Sequence, residues 1–224
     1  MFRQNIFLFL ILSFFTAQSQ QPAFLSYMND PWVEKQMASM NLQEKIGQLV
    51  MIEVYPDQNE LHRENIIKSL KRYNLGGLLI MRGNPTKTSS WIRSFQEAAN
   101  TPLIIAMDAE NGASFRIDSL MTFPNAQALG AVDDDTLLYR MGRTVAMQLK
   151  SLGVNMNFAP VADVNTNPAN PIINFRSFGE NKYQVRRKTV AYAMGMQDAG
   201  VAAVAKHFPG HGDTRSDSHH TLPV

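Results

Sequence analysis

The sequence predicts an α/β protein built on a parallel sheet, and three observations carry that expectation. Short apolar runs alternate with stretches of helical length and pattern, polar residues follow the carboxyl end of each apolar run, and glycines stop the longer helical stretches. Periodicity alone leaves two arrangements open, an open doubly wound sheet and a closed barrel.

The first residues read as a targeting segment rather than as fold. Arg3 supplies a positive start, Ile6 to Phe15 an apolar stretch and Ala17-Gln18-Ser19 a small-x-small cleavage site, so residues 1–20 are expected to be a signal peptide. The apolar stretch is too short to span a bilayer comfortably, and no cysteine follows it for lipid attachment. An exported protein, periplasmic or extracellular, is expected, with no stable membrane span after cleavage.

Asn41 and Glu44 then resemble a capping box that opens a short helix through Ile46, Leu49 and Val50, and Met51 to Tyr55 can form the first strand. Leu61 to Tyr73 reads as helix, Gly76 to Met81 as strand, Ser89 to Ala99 as helix, and Leu103 to Met107 as a strand delivering Asp108. Thr136 to Leu152 is a helix stopped by Gly153, Val154 to Val161 a strand delivering Asp163, and Tyr183 to Ala199 a helix stopped by Gly200. Val201 to Ala205 completes five strands.

Composition narrows the function classes. The 224 residues are 45% hydrophobic, enough for a sizeable core. Lys and Arg total 21 against 19 Asp and Glu, and the basic residues are scattered, so neither nucleic acid nor an anionic membrane surface is an expected partner. The absence of cysteine excludes disulfides, thiol catalysis and zinc–thiolate sites.

The most informative stretch runs Lys206-His207-Phe208-Pro209-Gly210-His211-Gly212 and continues through Asp217-Ser218-His219-His220. It holds four of the chain's five histidines on irregular backbone just after a strand. A solvated polar loop is one reading. Metal binding is another, but Pro209 and Gly210 break the helix that the His207 and His211 spacing would need, and no HExxH pattern occurs. Acid–base chemistry is the preferred reading, because Asp217 can hydrogen-bond one imidazole nitrogen of His219 and turn the other toward a substrate.

The string from Lys206 to His219 resembles the signature of glycoside hydrolase family 3, in its β-N-acetylglucosaminidase branch. Met107-Asp108-Ala109-Glu110-Asn111-Gly112 with Arg116 resembles the family's second segment, and Asn174-Phe175-Arg176-Ser177-Phe178-Gly179 its third. The resemblance runs from about Asp30 to Val224. It implies a (β/α)8 TIM-type barrel whose active site lies at the carboxyl ends of the strands. It also implies a retaining glycosidase with His219 as acid/base, oriented by Asp217, and with Asp108, Arg116, Arg176, Lys206 and His207 binding the terminal sugar. Asp163 and Glu110 are expected in supporting roles. No cofactor and no metal are implied, and the expected partner is an N-acetylglucosamine-containing glycan.

The family pattern is not matched throughout. Asn111 and Ala113 stand where the family usually has glycine and arginine, and no position matches the family's nucleophilic aspartate. Five strand candidates cannot close an eight-stranded barrel. Residues 21–224 are therefore expected to be the N-terminal portion of the catalytic barrel, truncated after about five βα units and inactive alone, with a further C-terminal domain possible in the whole protein. A β-glucosidase of the same family, a non-catalytic sugar-binding protein and a metal-dependent hydrolase remain alternatives.

Overall fold

A computed structural model describes residues 23–222. The expected signal peptide, residues 1–20, lies outside the described residues. The chain divides into two compact units, one ending at Asn41 and the other beginning at Leu42. The first contains helix α1 (Pro31–Ser39), which the sequence reading did not anticipate. Asp30 caps it by accepting the Trp32 N–H at 2.8 Å, and Pro31 starts it without leaving a donor unpaired.

The second unit carries the sheet. Its elements are α2 (Leu42–Gly47), β1 (Met51–Val54), α3 (Glu60–Tyr73), β2 (Gly77–Ile80), α4 (Pro85–Ala98), β3 (Ile104–Met107), α5 (Ala126–Gly130), α6 (Asp135–Leu152), β4 (Met156–Asn157), α7 (Lys182–Asp198) and β5 (Ala202–Ala203). All pairings are parallel and the strand order is β1-β2-β3-β4-β5. A doubly wound sheet would reverse its order at a switch point. This one never does, so its winding is that of a TIM-type barrel.

Side-chain caps move several boundaries away from the expected ones. Helix α4 starts at Pro85 rather than Ser89, because Asn84 accepts the Lys87 N–H at 2.9 Å and Pro85 suits a first-turn position. Gly153 ends α6 in the left-handed conformation, at φ +91°.

The two last strands are shorter than expected. Asn155 uses its side chain to accept the Ile105 N–H and to donate to Leu103 O, and Asn157 does the same for both backbone groups of Ala109. Side-chain amides therefore replace part of the ladder, and Pro160 offers no N–H to it. Pairing resumes as a single bridge between Val161 and Lys206, which carries Lys206 beside the end of β4.

Helices α6 and α7 pack closely at two glycines. A Cβ on Gly142 would come within 2.2 Å of Tyr192 O, and one on Gly195 within 2.0 Å of Tyr139 O. Both obstacles are rigid helix backbone, so Gly195→Ala is expected to force the helices apart. A loss of about 1–3 kcal/mol should appear in urea unfolding. An unchanged midpoint would show that the helices slide without cost.

Candidate active site

A cavity of about 560 Å³ opens at the carboxyl ends of the strands. Its charged wall begins with Asp108, directly after β3. On extended backbone alternate side chains share a face, so Asp108 and Glu110 point the same way. Ala109 between them is clamped by the fully buried Asn157, which accepts its N–H at 3.0 Å and donates to its carbonyl at 3.2 Å. The buried Tyr192 hydroxyl lies 3.3 Å from Ala109 O and 3.2 Å from Glu110 O. Burial and the nearby Glu110 charge push this phenol well above its ordinary range, so it remains a neutral donor.

Three cations close on the two carboxylates. Lys206 Nζ lies 2.8 Å from both Asp108 Oδ1 and Glu110 Oε1, Arg116 reaches Asp108 Oδ2 at 3.1 Å, and Arg176 forms a two-pronged pair with Glu110 at 2.7 and 3.0 Å. Burial opposes the Glu110 charge, but the hydrogen bond from Arg176 and the field of Lys206 outweigh it and hold the carboxyl below its ordinary range. The hydrogen bond to Glu110 raises Arg176 in turn. Both arginines are thus ion-paired while also lining the cavity.

Asp163 organises the histidine loop from beneath. Its side chain is 1% exposed. Oδ2 accepts the His207 N–H at 3.2 Å and lies 2.6 Å from His207 Nδ1, while Oδ1 accepts the His211 N–H at 2.6 Å. A carboxylate only accepts, so Nδ1 carries the His207 proton. Nε2 faces Arg176 at 3.4 Å and acts as the acceptor there.

Asp163 also carries a pH dependence. Burial would raise its pKa, yet the His207 ring hydrogen bond and the His211 backbone donor hold it below the ordinary aspartate value. A carboxylate with a depressed folded-state pKa contributes stability that is complete above its unfolded pKa and is lost as pH falls through the folded one. Glu110 has the same sign. The urea midpoint is expected to fall steadily as pH drops below about 4. A midpoint independent of pH through that range would contradict these assignments.

Asp217 and His219 form a second pair, of which His219 lines the same cavity. Asp217 Oδ1 accepts the His219 N–H at 2.8 Å and lies 2.6 Å from Nδ1 of the same ring. Asp217 thus caps its own loop and orients the imidazole at once, and both contacts lower its pKa. The His219 Nε2 is left for a substrate. His219 lines the cavity and its side chain is 73% exposed, far more than Asp108 or Lys206.

All seven residues singled out from the sequence lie on these two clusters. The sequence reading left Glu110 and Asp163 in supporting roles, but the structure places Glu110 at the centre of the cation cluster and Asp163 under both His207 and His211. The i, i+2 spacing of Asp108 and Glu110 was the available signal for the first. Asn157 and Tyr192 carried no signal, since a lone asparagine in a strand and a tyrosine in a helix read as ordinary core. Among the described residues no three His, Asp or Glu side chains are grouped to hold a metal ion.

Comparison with known proteins agrees with this architecture. Residues 41–224 match the model of the glycosyl hydrolase family 3 N-terminal domain, so the match begins near the unit boundary rather than at Asp30. The chain is similar to beta-hexosaminidase A of Pseudoalteromonas piscicida, at 39% identity over 69% of this chain and 28% of that protein. It is similar to beta-hexosaminidase LpqI of Mycobacterium tuberculosis, at 32% identity over 81% of this chain and 46% of that one. A solved family 3 beta-N-acetylglucosaminidase from Paenibacillus sp. str. FPU-7 superposes with a TM-score of 0.76 and 38% identity, over 83% of this chain and 36% of its own. The chain thus spans between about a quarter and half the length of these relatives. With five parallel strands in sequential order and a family match that covers the whole sheet-bearing unit, the chain belongs to glycosyl hydrolase family 3.

Proposed function

We propose that the full-length protein hydrolyses terminal non-reducing β-linked N-acetylglucosamine residues from glycans. The observation that carries this reading is a single cavity lined both by an oriented imidazole, His219 on Asp217, and by a charged cluster suited to sugar hydroxyls. The similar proteins named above point to the acetylated sugar.

In this reading Asp108 and Glu110 accept from hydroxyls of the terminal sugar, and Lys206, Arg116 and Arg176 donate to its oxygens, with His207 beside Arg176 on the same wall. His219, its ring oriented by Asp217, protonates the departing glycosidic oxygen as imidazolium. Once neutral, it removes a proton from the water that attacks the glycosyl-enzyme. Asp108 and Glu110 have their oxygens committed to three cations, which suits binding better than nucleophilic attack. The nucleophilic aspartate expected for the family matches no position of this sequence.

The signal-like residues 1–20 support export, which would bring the protein to cell-wall and environmental glycans. Among the described residues no helix is long and apolar enough to cross a membrane. A further C-terminal domain is compatible with the greater length of the relatives.

The test is p-nitrophenol release from the β-N-acetylglucosaminide and from the β-glucoside by the full-length protein. Preference for the acetylated sugar is expected. Preference for glucose would move the protein to the β-glucosidase reading, and binding without turnover of either would make it a sugar-binding protein.

A further inference from the structure

Two phenylalanines line the active-site cavity yet remain largely in water. Phe115 is 60% exposed and Phe175 is 53% exposed, although both belong to the cavity wall. Each lies in a short 3₁₀ turn, Ala113–Phe115 or Asn174–Arg176, and each immediately precedes an arginine of the charged cluster. Arg116 turns inward to Asp108 and Arg176 inward to Glu110, while the phenyl beside each stays at the open side.

The second turn is fixed by specific contacts. Asn174 has φ +34°, a positive value uncommon outside glycine and best tolerated by asparagine. The Arg176 pair with Glu110 and the Ser177 hydroxyl bond to Asp163 O at 2.6 Å fix the chain on its far side. At Phe115, the Arg116 guanidinium carbon lies 4.7 Å from the ring centroid. Both phenyls are therefore anchored by their neighbours, and neither is simply an apolar residue on a loose loop.

Exposure orders the cavity from inside to outside. The Lys206 and Asp108 side chains are 16% and 21% exposed, so the cleaved sugar sits deep, whereas His219 is near the surface. An acid at the surface delivers its proton to a glycosidic oxygen there, and the leaving group lies beyond that oxygen, against the exposed part of the cavity wall to which both phenyls belong. A pyranose ring presents an axial C–H face that excludes water against an aromatic ring, and its hydroxyls remain free to face solvent.

Resting on the hexosaminidase reading, we propose that Phe115 and Phe175 form the leaving-group subsite, a platform for the apolar face of a second β-linked pyranose. The preferred substrate is then an oligosaccharide rather than a simple alkyl glycoside. The two rings determine specificity and take no part in the chemistry.

The experiment compares Phe115→Ala, Phe175→Ala and the corresponding Tyr variants of the full-length protein on N,N′-diacetylchitobiose and on methyl β-N-acetylglucosaminide. Alongside, inhibition by free N-acetylglucosamine reads the inner site alone. Each Ala variant is expected to lose about tenfold in kcat/KM on the disaccharide. The methyl glycoside and the inhibition constant should stay within about twofold, and the Tyr variants should recover most of the disaccharide rate. Equal losses on both substrates, or a weaker inhibition constant, would make the phenyls supports of the inner site and overturn the proposal. No loss on either substrate would overturn it as well. If the unaltered protein turns over neither substrate, the hydrolase reading fails by itself. Calorimetric binding of the disaccharide against the monosaccharide then reads the same selectivity, and its insensitivity to both Ala variants would sink the platform.

Discussion

His219→Ala in the full-length protein is expected to lower kcat/KM on aryl β-N-acetylglucosaminides by about 10²–10⁴-fold, the usual contribution of a positioned acid–base group. The loss should grow as the leaving group becomes poorer, because a nitrophenolate departs with little protonation and an alkoxide does not. Asp217→Asn keeps an oxygen for the His219 N–H, now at 2.8 Å, but removes the charge beside Nδ1, so its loss should be smaller. The double variant should be no worse than His219→Ala, since Asp217 acts through the imidazole. Additive losses, or a His219→Ala enzyme within about twofold of the unaltered one, would show that the pair is only a loop cap. Circular dichroism should be unchanged in all three, as the loop is exposed and outside the core.

The largest effect on stability is expected from Asp163→Ala. Three donors, the His207 and His211 backbone N–H groups and the His207 ring N–H, would lose the acceptor that the buried Asp163 side chain supplies. Each unsatisfied buried donor costs about 1–3 kcal/mol, so a total near 3 kcal/mol or more is expected, a large share of a typical domain's stability. Asp163→Asn should fall between, because its amide keeps one acceptor oxygen but turns an N–H₂ toward groups that are themselves donors. Activity should fall with both, since His207 and the bridge that carries Lys206 depend on the same turn. Urea unfolding followed by tryptophan fluorescence reads the first effect. A loss below about 1 kcal/mol for Asp163→Ala would mean that water replaces the carboxylate.

Helix positions were largely legible in the sequence because their signals are local. Asn59 and Asp134 accept from N–H groups two or three residues ahead, and Gly153 takes a left-handed backbone, all within one turn of the chain. The lengths of β4 and β5 were not legible. They depend on Asn155 and Asn157 reaching across to β3, about fifty residues earlier, and on the gap that Pro160 leaves in the ladder.

The candidate site divides the same way. Asp217 and His219 are two residues apart, so their pairing could be inferred from spacing, and the identities of Asp108, Arg116, Arg176, Lys206 and His207 came from motif resemblance. Their partnerships could not be inferred. Lys206 meets Asp108 across 98 residues and Arg176 meets Glu110 across 66, so nothing short of the folded sheet states which cation neutralises which carboxylate. The sequence by itself determined the family, the alternation of strands and helices and the chemical inventory of the site, because each is written in short segments. Only the tertiary structure decided that the strands wind in one direction, that Asp163 rather than solvent holds the histidine loop, and that two phenyls stand at the cavity's open side. Those facts arise from long-range packing, where burial and charge pairing between distant segments outweigh any local preference.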